Sequence, residues 1–277
     1  MREPQVWSNF GLKTFLKWAG GKSKLSKDIK KYFTKGKRLV EPFVGSGAIF
    51  LTTTFEEYLL CDTNSDLINL YNNLKQSPDE LLEKTNEFFA AENNTESKFY
   101  ELREEFNALE SKDMRKSALF VYLNRHAFNG LCRYNQKGLF NVPYGRYKAP
   151  KCPLKEMQAF SAKAKFATFK CQDFEKTFKE TIKGDVIYCD PPYVPLSVTS
   201  SFTSYSKDDF NLRDQSRLVK NALASQSRGI RCVISNHDLD VTRKMYEMSD
   251  IHEISVQRNI SCKSSSRKKI KEIIAVF

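Results

Sequence analysis

The sequence predicts an α/β fold in which an open β-sheet is interrupted by a helical insertion. Three observations carry that expectation. Short apolar runs of strand composition at 38–41 and 58–61 each give way to a turn and a helical pattern. From 65 to 125 the pattern is helical throughout, with spans at 66–75, 78–90, 97–107 and 114–125. Strand-like runs then return at 166–170, 184–190, 230–235, 251–256 and 272–276. Strands alternating with helices bury both faces of a sheet, and an unbroken helical block between them is most economically an insertion.

Composition narrows the class. With 277 residues, 40% of them apolar, the chain can bury a sizeable core. No apolar run reaches membrane-spanning length, and 1–10 lacks a signal or transit pattern, so a cytoplasmic address is expected. Seven cysteines are scattered without a C-x-x-C pair and only three histidines are present, which argues for reduced thiols and no metal site. The net charge of +12 points to a polyanionic partner.

Taken in order, the first informative stretch is Leu16-Lys17-Trp18-Ala19-Gly20-Gly21-Lys22-Ser23, before a helix over 25–33. A phosphate-binding loop needs glycine where Leu16 stands, so nucleotide hydrolysis is disfavoured. The glycine pair either caps a surface helix or lets the backbone approach a ligand, with Trp18 to stack and Lys22 to meet a carboxylate. Glu41-Pro42-Phe43-Val44-Gly45-Ser46-Gly47 follows a strand and opens a helix over about 48–53. It lacks full dinucleotide spacing and suits an uncharged or zwitterionic nucleoside. The next strand ends in Asp62, placed either to accept from ribose hydroxyls or to cap the helix beginning near Asn64.

The segment 114–155 carries nine Lys and Arg without one Asp or Glu, interleaved with Phe120, Tyr122, Phe128, Tyr134, Phe140, Tyr144 and Tyr147. Cations supply phosphate contacts and aromatic rings supply stacking surfaces, so this stretch reads as a nucleic-acid face. Within it 131–142 reads as two short strands about a glycine turn, with Arg133 able to meet guanine bidentately from a major groove.

The strand at 184–190 stops abruptly at Asp190-Pro191-Pro192-Tyr193, because two prolines cannot continue a ladder. A carboxylate and a phenol ring are thereby left at a strand's carboxyl end, where open α/β sheets bind ligands. A planar amine such as the exocyclic nitrogen of adenine is a poor nucleophile. A carboxylate with a neighbouring carbonyl can hold both its hydrogens while an aromatic face stacks on the base. The plain alternative is a strand end built from turn residues. Cys189 lacks a partner histidine and reads as a packing residue. Beyond it, 197–207 reads as a lid loop with Phe202 and Tyr205, 208–225 as a helix, and 258–271 as a second acid-free basic run.

Together, 15–22, 41–47 and Asp190 to Tyr193, with the insertion between the last two, resemble the DNA adenine-N6 methyltransferases of the α arrangement. More narrowly, Leu123-Asn124-Arg125, the run 128–135 and the run 140–147 resemble the recognition hairpin of the Dam-type enzymes, which methylate adenine in GATC. That resemblance implies a Rossmann-like seven-stranded sheet binding S-adenosyl-L-methionine (AdoMet), a monomer acting on double-stranded DNA, and no metal. It implies a catalytic domain of 1–64 and 154–277, with a helical recognition domain of 65–153 carrying the β-hairpin. Carried over by position, Trp18, Lys22, Phe43, Gly45, Asp62, Asp173 and Asp190 would hold the methyl donor. Asp190, Pro191, Pro192 and Tyr193 would hold the flipped adenine. Lys17, Arg125, Phe128, Asn129, Leu131, Arg133, Pro143 and Arg146 would contact DNA. Departures are Glu41 for a common Asp, Phe128 for Tyr, and His126-Ala127. Related strand-end motifs also serve RNA adenine and glutamine methylation, and a DNA-binding module with a vestigial pocket is the non-enzymatic rival.

Overall fold

The computed structural model describes residues 13–194, 210–256 and 270–277. The stretch 1–10, the expected lid at 197–207 and most of the basic run 258–271 lie outside these described residues. Among the described residues, seven strands form one sheet: β1 (Arg38–Glu41), β2 (Glu57–Asp62), β3 (Ala167–Cys171), β4 (Asp185–Cys189), β5 (Arg231–His237), β6 (Asp250–Val256) and β7 (Ile270–Val276). Their spatial order is β3-β2-β1-β4-β5-β7-β6, and β7 runs antiparallel to the other six. The Rossmann-like seven-stranded expectation therefore stands.

Strand residues alternate between two buried clusters, as a period of two requires. Leu39, Tyr58, Leu60, Val186 and Tyr188 face one cluster, and Val40, Leu59, Cys61, Ile187 and Cys189 face the other. The first is covered by α3 (Ser65–Gln76), α4 (Pro78–Glu87), α5 (Glu96–Ala108), α6 (Met114–His126) and α7 (Leu154–Ala164). The second is covered by α8 (Phe174–Lys179) and α9 (Leu212–Ser227). Cys189 is fully buried, and burial pushes its thiol well above the usual range, so it packs and does not attack.

Where β1 meets β4, Arg38 grips Asp185 bidentately, Nε to Oδ1 at 3.0 Å and Nη2 to Oδ2 at 2.7 Å. These residues are register partners at the amino ends of the two strands. The pair fixes, from below, the alignment of the two strands whose upper ends carry the site.

Two expectations are corrected. The run 131–142 forms no regular strands: one isolated bridge joins Tyr134 and Phe140. The Asn135 side chain takes the amides of Lys137 and Leu139, at 2.9 and 3.1 Å, and so occupies donors that a ladder would use. The aromatic residues of 114–155 are also mostly core. Phe120 and Tyr122 are buried because α6 packs against α3, α4 and α5 together, and Phe140 is buried edge-on against Phe106 of α5. Lys116 is buried too, bonded to the Leu109 carbonyl at 2.9 Å and lying 3.5 Å from Asp66. Among the described residues no helix is long and apolar enough to cross a membrane.

Candidate active site

The chain crosses one way from β1 to β2 and the other way from β4 to β5, so β1 and β4 flank the point where strand order reverses. Ligand crevices form above such points. Here a cavity of about 1090 Å³ opens at the carboxyl ends of β1, β2 and β4, and Trp18, Lys22, Glu41, Phe43, Gly45, Asp62, Asp173, Asp190 and Tyr193 all line it. The structure thus gathers all the residues expected to hold a cofactor, the strand-end acid among them, around one space.

Asp190 follows β4 directly. Its Oδ1 lies 2.9 Å from the buried Lys22 ammonium and accepts from Ser235 Oγ at 2.8 Å. Ser235, on β5, is in turn 3.0 Å from the Tyr188 hydroxyl. Burial raises the Asp190 carboxyl above its usual range, while Lys22 and Ser235 pull it back. Lys22 Nζ also donates to the Gly20 carbonyl at 2.7 Å and sits 4.6 Å above the Tyr193 ring. Tyr193 is held at its hydroxyl by Glu272 of β7, at 3.0 Å, and by the edge of His237, 4.7 Å between centroids. The Pro192 carbonyl accepts from Gln215 at 2.9 Å, which fixes the turn after the acid.

Asp62 ends β2 and accepts from the Gly45 amide at 3.1 Å and the Asn64 amide at 3.0 Å. The cap of α3 is Asn64, through the Leu67 amide at 3.0 Å, which decides against Asp62 as the capping side chain. Gly45 has φ +46°, and its carbonyl accepts from Tyr71 at 2.6 Å. A Cβ there would meet Trp18 Nε1 at 2.7 Å. With amide and carbonyl both pinned, the indole would have to give way. Gly45→Ala is therefore expected to cost about 1–3 kcal/mol in stability. Thermal unfolding checks this, and an unchanged melting temperature would mean that the indole yields without cost.

Glu41, at the end of β1, is buried; the Phe50 amide of α2 (Ala48–Thr52) reaches its carboxyl, and its Oε1 has no partner. Burial first, then the Asp190 charge, pushes this carboxyl up to about 8. On the opposite wall Phe43 stacks on Phe174 and meets Phe210 edge-on, each at 5.5 Å. Asp173 caps α8 through the Glu175 amide at 2.8 Å and meets Arg217 at 3.2 Å.

Of the residues expected to contact DNA, Lys17 adjoins Trp18, which lines the cavity. Asn124 accepts from the Lys17 amide and donates to its carbonyl, each at 2.8 Å, and also donates to the Gly130 carbonyl at 3.1 Å. Lys17 Nζ lies 4.1 Å above the Tyr147 ring. Phe128 is half exposed, with its amide on the Pro143 carbonyl at 2.8 Å; Asn129 has φ +53° and an amide bonded to the Tyr147 hydroxyl at 3.0 Å. Leu131 is partly buried and Pro143 exposed. Arg146 is exposed and 3.5 Å from Glu96. Arg133 donates from Nε to Asn141 Oδ1 at 2.8 Å. Arg125 points inward instead: its Nε is buried without a partner, and burial lowers its pKa.

Sequence reasoning gave no role to Ser235, Glu272, His237, Gln215 or Arg217. Each comes from a strand or helix of ordinary composition; the tertiary fold places His237 and Arg217 on the cavity wall and bonds Ser235, Glu272 and Gln215 to Asp190, Tyr193 and Pro192, which line it.

A family model described as D12 class N6 adenine-specific DNA methyltransferase matches residues 18–260. The "DNA adenine methylase" of Salmonella typhi is 46% identical over 265 residues, covering 96% of this chain and 95% of that protein. The proteins of the same description from Escherichia coli (strain K12) and Vibrio cholerae are each 46% identical over 266 residues, covering 96% of this chain and 95% and 96% of theirs.

Proposed function

Because the chain belongs to the D12 class of N6 adenine-specific DNA methyltransferases, and so methylates adenine in DNA, we propose that its target is GATC and that Asp190, Pro191, Pro192 and Tyr193 hold the flipped base. The observation that carries the site assignment is the resting place of the Lys22 ammonium, 2.9 Å from Asp190 and 4.6 Å above the Tyr193 ring. A cation is already at home between that carboxylate and that ring. Methylation makes N6 positive as the new bond forms, and the same carboxylate and ring face favour that charge.

The family implies AdoMet as donor, and the residues present fit it. The cavity of about 1090 Å³ exceeds the roughly 300–1,000 Å³ of ordinary ligand sites, leaving room for a donor and a base together. Asp62 suits ribose hydroxyls, Gly45 allows close backbone approach, and Trp18 and Phe43 offer ring faces. The orphan Glu41 oxygen suits a cationic group. Lys22, Asp173 and Asp190 complete the donor set. When bound, AdoMet supplies an electrophilic methyl carbon on its sulfonium. The protein's part is to align the amine, exclude water and hold the developing charge.

On the DNA side, Lys17, Phe128, Asn129, Leu131, Arg133, Pro143 and Arg146 are assigned to the duplex, with Arg133 reading a guanine, while the inward-pointing Arg125 is not. The monomeric enzyme, with 65–153 as its recognition domain, acts in the cytoplasm. Labelled AdoMet and duplexes with or without GATC test the target: label confined to adenine in GATC duplexes is expected, and equal labelling of both would end the GATC reading. Arg133→Ala is expected to relax discrimination at one guanine by about 1–3 kcal/mol, measured as kcat/KM on GATC and singly altered sites.

A further inference from the structure

We propose that Tyr134, anchored on Asp66, is a specificity-determining positioning residue that sets the aim of Arg133. The inference rests on the reading of Arg133 as a guanine contact.

Backbone alternation around Arg133 is the starting point. Cys132 and Tyr134 turn inward toward the start of α3: Asn64 Nδ2 reaches Cys132 Sγ at 3.6 Å, and the Tyr134 hydroxyl donates to Asp66 Oδ2 at 2.9 Å. Arg133, between them, turns to the other side and meets Asn141. The loop closes on itself through one isolated bridge and through backbone bonds from the Asn141 amide to the Arg133 carbonyl at 3.1 Å and from the Asn135 amide to the Leu139 carbonyl at 2.9 Å. Those bonds tie the two arms of the loop to each other, whereas the side chains flanking Arg133 tie the loop to the start of α3.

The anchor itself is built to stay put. Asp66 Oδ1 accepts from Ser111 at 3.1 Å and lies 3.5 Å from the Lys116 ammonium, so three segments converge on one carboxylate. The Tyr134 ring meets Phe140 edge-on at 5.9 Å, and burial keeps the phenol protonated as a donor. Asp66 lies in the first turn of α3, just after Asp62 at the end of β2, and between them the Asn64 amide donates to Asp62 at 3.0 Å. The support of Arg133 and the acid proposed for the ribose therefore meet at one β2–α3 junction. Bidentate reading tolerates little angular error, so loosening the support should blunt discrimination more than turnover.

A double-mutant cycle on the full enzyme tests this. Discrimination is the ratio of kcat/KM on a GATC duplex to that on duplexes carrying 7-deazaguanine, which lacks the N7 acceptor, at each guanine in turn. Tyr134→Phe, which keeps the ring and its packing, is expected to lower the ratio about fivefold, the worth of one hydrogen bond, with kcat on unmodified DNA unchanged. In the Arg133→Ala background the same substitution is expected to change the ratio by less than about twofold. Additive effects would overturn the proposal, as would an unchanged ratio in Tyr134→Phe alone. An unchanged ratio in Arg133→Ala alone would overturn the guanine reading and the proposal with it, and that outcome is separable because it leaves Tyr134→Phe without an arginine to act through.

Discussion

Asp190→Ala lowers kcat by about 10³-fold or more while affinity for duplex DNA stays within about twofold. The magnitude follows from what one carboxylate does here. On the proposed assignment it orients the amine and faces the positive charge that grows on nitrogen, in the cavity above the carboxyl end of β4. Each role alone is worth about two orders of magnitude in comparable preorganised sites. DNA affinity is spared because the assigned phosphate and base contacts come from other segments. The substitution also strips the counter-ion from Lys22, which is 5% exposed, so some stability is lost as well. Asp190→Asn separates the two consequences: it keeps an oxygen for Ser235 and for one amine hydrogen but removes the charge, and its loss should fall between wild type and alanine. Rapid-quench methyl transfer on prebound DNA is the measurement, and a kcat for the alanine variant within tenfold of wild type would remove Asp190 from the chemistry.

How much of this was legible beforehand differs by element, for physical reasons. The strand end at Asp190 was readable because prolines at Pro191 and Pro192 leave the backbone no alternative. The turn before α2 was readable because Gly45 and Gly47 both take positive φ, which few other residues tolerate. The choice of Asn64 over Asp62 as the α3 cap was not, since both are good caps and only the pull of the Gly45 amide settles it. Charge counting over 114–155 misplaced Lys116, because its partner Asp66 is distant in sequence and the count treats every cation as solvent-facing. It misplaced Tyr122 likewise, since α6 is surrounded by other helices and buries nearly every side. The expected hairpin strands failed at Asn135, whose side chain competes for the turn amides. Glu272 and Ser235 were out of reach altogether: nothing in their own strands distinguishes them, and their significance comes from facing Tyr193 and Asp190 across the sheet top.

Glu41→Gln stabilises the ligand-free enzyme, by an amount that grows as pH rises. The Glu41 carboxyl is buried, and its pKa moves from 4.5 to about 8 because burial and the Asp190 charge both disfavour ionisation. Between those two values the unfolded chain has released this proton while the folded chain keeps it. Folding must then pay for proton uptake, and this site erodes stability by about 1.4 kcal/mol per pH unit. Below 4.5 both states are protonated and the site contributes no penalty; above about 8 both are ionised and the penalty is full. Glutamine is neutral throughout, so the stability gap between variant and parent should be small near pH 4.5, widen steadily, and level off above pH 8. The nearby Lys163 limits the gain. Burial lowers its pKa to about 8, Glu41 pulls it up, and the substitution removes that support. Denaturant unfolding at pH 5, 6.5 and 8 reads the effect directly. A gap that stays constant over that range would mean Glu41 is ionised in the free enzyme, and the orphan oxygen in the donor cavity would then face its ligand already charged.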